Sequence, residues 1–247
     1  MAILIPALLV SLIPSLALIY WLTYKMRKPE SEEYKLTCKK ALRNGFLSTV
    51  FVVLLSGTLA ILLSLLGFKD GTSFLSSLLH DFIVLAFAEE LMKSLMFVMT
   101  LKKADYPSTW LDRIAFMVIV ALGFQILEAV VYSFSTNAGQ IIVRGITIMH
   151  GGYGFIEGWF YGKAAYTGKK HYAGIGFVIA WLLHGAFDFG LSPEFAALGD
   201  WSAVLSVSLA FLSLVILIVM IVFFAKKNKK PQYLEPIPSG TSFEAQA

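Results

Sequence analysis

Seven stretches of this chain are apolar over a length that can cross a bilayer: 2–24, 46–68, 74–101, 114–134, 141–161, 172–191 and 203–225. A helix needs about 17–25 such residues to span the hydrocarbon, and inside lipid the backbone must satisfy its own hydrogen bonds. The chain is therefore expected to be an all-α polytopic membrane protein, a bundle of about seven transmembrane helices. Composition agrees: 57% of the 247 residues are hydrophobic and 15% charged, against ~25% charged in soluble domains, and mean hydropathy is +0.74. The sequence shows no internal repeat and no second domain, so residues 1–227 are read as one domain and 228–247, with its Pro, Ser and Gly, as a disordered tail. The first run lacks a positive leading region and is followed by a basic stop, which marks it as a retained anchor. Pro6 and Pro14 are expected to kink it.

Lys and Arg set the expected orientation. Of the 20, all but Lys69, Lys93 and Arg144 fall in the first, third and fifth connections or after the last run, which are alternate sides of a seven-span path. The N-terminus is thus expected outside and the C-terminus in the cytoplasm of a cell-membrane protein. The net charge of +4 reports this topology, and no patch suggests a nucleic-acid partner. The basic segment around 27–43 reads as a short interfacial helix. Cys38 is the only cysteine, which excludes an intrachain disulfide and a cysteine-cluster metal site.

Ionisable side chains interrupt four of the apolar runs. A charged group near the bilayer centre costs about 2.5–3.5 kcal/mol even on the lenient scale, so several together need partners or a watery cavity. On the third run Glu89 and Lys93 are i, i+4, and Glu90 and Lys93 are i, i+3, so Lys93 can neutralise one glutamate while the other, about 100° away, faces the bundle. Glu128 has no cation one turn away on its own helix, and Phe124 on the same face reads as packing. His150 is followed by Gly151, Gly152, Gly154, Gly158 and Gly162, a ridge that lets another backbone come close. Arg144 and Glu157, on that run, are supporting candidates too far apart to pair with each other. Asp188 is i+4 from His184 and can hold its ring. His80, Asp81 and His171 read as structural. Counted from the outer ends at about 1.5 Å per residue, Glu128, His150 and His184 lie roughly 9–14 Å deep, with Asp188 shallower and Glu89 deeper. Together they point to an active site inside the bundle, in a cavity open to the outside.

The ordered set Glu89-Glu90-x-x-Lys93, Phe124-x-x-x-Glu128, Arg144 with His150, and His184-x-x-x-Asp188 resembles the signature of PrsW-type intramembrane proteases, distant relatives of the CAAX prenyl proteases. The resemblance runs from the first helix to about Gly190 and includes Phe160–Ala164; four motifs in order on successive helices make it specific. Ala129 is a departure, standing where many members carry Asn after the motif glutamate. The resemblance implies an endopeptidase that cuts a peptide bond in or beside the transmembrane segment of a single-span membrane protein, with an anti-sigma factor cut first on the outer side as the best-known case.

It implies Glu89, Glu90, Glu128, His150, His184 and Asp188 as the catalytic set, supported by Lys93 and Arg144. Two mechanisms stay open. In one, zinc is held by His150, His184 and a carboxylate such as Glu128, with Glu89 or Glu90 as base; in the other, no metal is present, a glutamate activates water and the histidines stabilise the oxyanion. An H-E-x-x-H pattern is absent, and analogy with the CAAX relatives favours Glu89 as base and Glu90 as its support. Two rivals are a proton-coupled transporter, which calls for inverted repeats, and an inactive scaffold that binds helices through the glycine ridge. Substrate identity and oligomeric state leave no mark on the sequence.

Overall fold

The computed structural model describes residues 4–26, 31–102, 108–134, 145, 148–197, 199–227 and 230–237. The architecture is all-helical, a polytopic membrane bundle. Helix α1 (Leu4–Trp21) runs on into a π-helical turn, Leu22–Met26. Then come α2 (Glu32–Leu65), α3 (Phe74–Leu79), a π-helical stretch His80–Phe87 and α4 (Ala88–Lys102). They are followed by α5 (Trp110–Tyr132), α6 (Met149–Thr167), α7 (His171–Gly190), the short α8 (Pro193–Ala196), α9 (Asp200–Lys227) and the short α10 (Pro231–Leu234).

Among the described residues, five stretches are long and apolar enough to span: Ile5–Lys25, Glu32–Leu65, Trp110–Tyr132, His171–Gly190 and Val207–Lys226. The other two expected spans are the helical run α3–π–α4 and α6. They carry the buried charges and the glycines, which lower their mean hydropathy.

Three boundaries differ from the sequence expectation. The interfacial helix around 27–43 and the span 46–68 are one element, because Ser31 caps α2 by accepting from Tyr34 N and no breaker follows. At about 1.5 Å per residue α2 is far longer than the ~30 Å hydrocarbon layer, so its charged first turns project beyond it. The fifth helix, described from Met149, ends at Thr167 and not at residue 161; residues 141–144 lie outside the described residues, and His150 sits in the first turn of the described helix. Within the segment 228–247, residues 230–237 pack on the bundle: Tyr233 lies 4.9 Å from the Trp110 ring and 5.2 Å from Phe223, and Ile237 N donates to Ser108 O.

Helix α5 is the axle, buried on every face from Trp110 to Gln125. Glycines bring its neighbours close enough for this. A Cβ on Gly123 would stand 2.7 Å from Leu42 O of α2, and one on Gly45 would collide with Val120 O. The ridge expected on the fifth helix packs inside the chain: a Cβ on Gly154 would meet Ala121 Cβ at 2.7 Å, one on Gly158 the Ile114 Cα at 2.8 Å, and one on Gly162 the Trp110 ring. Asn44 Nδ2 ties α2 to α4 by donating to Thr100 Oγ1 at 2.9 Å. Trp181 Nε1 ties α7 to the π-helical stretch by donating to Phe82 O at 2.6 Å.

Gly158→Ala is expected to lower the thermal midpoint in detergent, since the obstructing atom is backbone and overpacking costs about 1–3 kcal/mol. Gly174→Ala, with nothing within 4 Å of the added Cβ, is expected to leave the midpoint unchanged or raise it.

Candidate active site

The π-helical stretch delivers the first charged motif. It ends at Phe87, and Glu89, Glu90 and Lys93 follow in the first turns of α4, all buried. A single wider turn re-aims the residues after it, and such turns concentrate at functional sites. Lys93 Nζ donates to Glu90 Oε1 at 2.7 Å and lies 4.0 Å from Glu89 Oε2. Both Glu90 and Lys93 are 0% exposed. Glu90 thereby takes the structural ion pair. Glu89 Oε2 is buried without a hydrogen-bond partner and stands 3.6 Å from His184 Nε2.

His150 is fixed from both ring nitrogens. Lys93 donates to Nδ1 at 2.9 Å, which leaves the ring proton on Nε2, and Nε2 meets Glu128 Oε2 at 2.8 Å. The partner that Glu128 lacks on its own helix is thus supplied by α6. Phe124, one turn before Glu128, packs its edge against His150 at 5.0 Å and places its face 4.7 Å from Lys93 Nζ. Just before α6, Ile148 holds φ 45° and ψ 41°. It is the one non-glycine with positive φ among the described residues. For a β-branched side chain this left-handed conformation is strained, at about 1–2 kcal/mol, and strain of this kind concentrates at functional sites.

His184 is gripped in the same way. Nδ1 lies 2.6 Å from Glu90 Oε1 and Nε2 lies 3.1 Å from Asp188 Oδ2, so the i, i+4 pair expected on α7 is made. The rings of His150 and His184 stand 5.0 Å apart, and Tyr153 stacks on His184 at 5.1 Å. A cavity of about 10 Å³ lies among Glu128, Met149, His150, Tyr153, His184, Phe187 and Asp188. That is room for about one water.

Four helices, α4, α5, α6 and α7, thus bring Glu89, Glu90, Lys93, Glu128, His150, His184 and Asp188 into one network. Arg144 lies outside the described residues. Glu157 is fully buried and accepts from Ser94 Oγ at 2.7 Å, so it is held beside α4. His80 stays apart, 3.8 Å from both Asp70 and Asp81, and His171 is exposed at the start of α7. Sequence reading missed Tyr153, Phe187 and Ser94. Tyr153 is i+3 from His150 and Ser94 is i+4 from Glu90, so helical spacing from a motif residue was the available signal.

Among the described residues one group of donors could hold a metal ion: a carboxylate oxygen of Glu89 and a ring nitrogen each of His150 and His184 lie within 4.8 Å of one another, all buried. The sequence reading had put Glu128 in that role, whereas Glu128 pairs with His150. Two imidazoles and a carboxylate suit zinc with one position left open, and the unpartnered Glu89 Oε2 is the kind of atom a cation would satisfy. The second contact fits at His184, whose Nδ1 faces the Glu90 carboxylate at 2.6 Å, the kind of acceptor to which a ligating histidine donates its other N–H; at His150 the group behind Nδ1 is Lys93. Metal at His150 Nε2 would shift the ring proton to Nδ1, with Lys93 giving up a proton to accept from it, so uptake would release a proton.

A buried carboxylate–imidazole network around a water-sized cavity, inside a helical membrane bundle, defines a membrane-embedded hydrolase. Residues 36–225 match the family model "PrsW family intramembrane metalloprotease", and the chain belongs to that family. It is 28% identical over 197 residues to "Protease PrsW" of Clostridioides difficile (strain 630), covering 76% of this chain and 79% of that one. It is 30% identical over 148 residues to "Protease PrsW" of Shouchella clausii (strain KSM-K16), covering 58% of this chain and 68% of the relative. No solved structure matches. The chain is therefore an intramembrane metalloprotease, a hydrolase acting on membrane proteins, and the transporter reading is set aside.

Proposed function

We propose that this chain is a zinc endopeptidase that cuts a single-span membrane protein in or beside its transmembrane segment, on the outer side, with Glu89, His150 and His184 as the metal donors and Glu128 as the base. The convergence of those three donors within 4.8 Å next to a carboxylate that lines the cavity carries this reading. Zinc held there would supply Lewis acidity toward a peptide carbonyl and toward water. Glu128 takes the proton as the water oxygen bonds to the scissile carbon, then returns it to the amine nitrogen as the C–N bond breaks. Glu90 holds His184 through Nδ1, which leaves Nε2 as the nitrogen that would face the metal, and Lys93 faces Nδ1 of His150, so neither ring reorients during the reaction. Orientation follows the Lys and Arg distribution, with the N-terminus outside and the C-terminus cytoplasmic. An anti-sigma factor is the substrate that the family resemblance offers.

Metal content and chelation test this. The detergent-purified protein is expected to carry about one zinc per chain, and His150→Ala or His184→Ala to lose it. Cleavage of a reconstituted single-span substrate is expected to stop with chelator and resume with added zinc. Cleavage by metal-free protein that still requires Glu89 and His184 would instead establish the glutamate mechanism.

A further inference from the structure

A cavity of water size admits no peptide, so some element must move before a substrate backbone reaches Glu128 and the histidines. Most of the walls are pinned. The α5–α6 seam is held by glycines against backbone and by the His150–Glu128 contact, and α7 is held to α4 and the π-helical stretch through Glu90 and Phe82. Helix α9 meets α6 and α7 differently. A second cavity of about 10 Å³ lies in that seam, among Leu209, Leu212, Ser213 and Ile216 of α9 and Tyr153, Leu183 and Phe187. Tyr153 and Phe187 line both this cavity and the one beside Glu128. The hydroxyls of Ser208 and Ser213 turn back to Val204 O and Leu209 O of their own helix, so the contact at the cavity is apolar.

The far end of α9 is anchored. Phe223 and Phe224 pack edge-on against Phe155, Phe224 against Trp21 and Phe223 against Tyr233. At the other end Ser202 Oγ donates to Ala196 O of α8 at 3.4 Å, so α9 and the short α8 would swing together about the aromatic anchor, away from an apolar seam.

We infer that α9 is a lateral gate, and that the substrate's transmembrane helix docks in the seam between α9 and α6–α7 and reaches the candidate catalytic cavity past Tyr153 and Phe187. This rests on the protease reading above and adds the route and the docking surface. The occupant is a substrate helix because the seam is apolar and its cavity continues, across two shared side chains, toward the reactive one. A second groove, of about 520 Å³ between α4, α6 and α7, is lined by Leu91, Leu95, Val98 and Phe177 among others. It shares no residue with the catalytic cavity.

The gate can be locked with little distortion. A Cβ on Gly152 would lie 3.7 Å from Ile216 Cβ, close to the mean separation of about 3.8 Å across a disulfide. Replacing Ile216 also removes the Cγ2 that the new Cβ would meet at 3.0 Å. The native Cys38 is buried on α2. Oxidised Gly152→Cys/Ile216→Cys full-length protein is expected to cleave a reconstituted single-span substrate at least about tenfold more slowly than the same protein reduced, as for enzymes limited by gate opening. Equal rates oxidised and reduced would overturn the gate.

A photo-crosslinking residue at Leu212, in otherwise full-length Glu128→Gln protein, is expected to capture that substrate, and one at Leu95 in the other groove is not. Capture at Leu95 alone would overturn the inference even if the cysteine variant fails to fold. Should the wild type cleave no single-span substrate, the protease reading fails, while the capture pattern still decides the docking surface.

Discussion

Glu89→Gln is expected to leave the purified protein folded, free of zinc, and at least about a hundredfold slower in cleavage. The amide is nearly isosteric with the carboxylate, so packing around a side chain that makes no hydrogen bond through Oε2 is barely disturbed. What is lost is a negative donor facing His184 Nε2 at 3.6 Å. Glu128→Gln is its informative partner. It removes the proton acceptor at the cavity but no member of the Glu89, His150, His184 donor group, so zinc is expected to stay while cleavage falls by about 10²–10⁴-fold. Metal analysis beside single-turnover cleavage separates the two roles. The reverse pattern, zinc kept by Glu89→Gln and lost by Glu128→Gln, would exchange the assignments and restore Glu89 as the base.

The sequence carried these roles only in part. Periodicity puts Glu90 within reach of Lys93 and Asp188 within reach of His184, because both pairs lie along one helix, where spacing dictates proximity. It gives no means to choose between Glu89 and Glu90, since that choice depends on the π-helical stretch His80–Phe87, whose wider turn sets which of two adjacent side chains meets α7. The contacts of Lys93 with His150 and of Glu90 with His184 cross between helices 57 and 94 residues apart in sequence, and only packing can reveal them. That the chain is an all-helical membrane bundle was legible from the apolar runs, and five of them coincide with helices long and apolar enough to span among the described residues. The start of α6 was not legible, because nothing in the run 141–161 announces the left-handed turn at Ile148. That turn places His150 at a helix start and beside Glu128.

Glu90→Ala is expected to be the most destabilising substitution in the site. Lys93 is fully buried, and its nearest other carboxylate oxygen, on Glu89, is 4.0 Å away against 2.7 Å for Glu90. Removing one partner of a buried pair strands the remaining charge and costs about 3–5 kcal/mol, a large share of the roughly 5–15 kcal/mol that holds a typical domain together. A large drop in thermal midpoint in detergent should result, and with it loss of cleavage, because His184 Nδ1 also loses the oxygen at 2.6 Å that orients it. Adding Lys93→Met to Glu90→Ala removes the stranded charge while keeping an apolar stem of similar length, so much of the lost stability is expected to return, as replaced buried pairs do. Activity is not expected to return with it: the second substitution also deletes the donor to His150 Nδ1. A double-variant cycle in midpoint and in cleavage therefore separates the two functions of the pair, holding the bundle together and aiming the histidines. A Glu90→Ala protein that melts with the wild type would mean that Lys93 has found another anion or shed its proton, and the ion pair would then matter for aim alone.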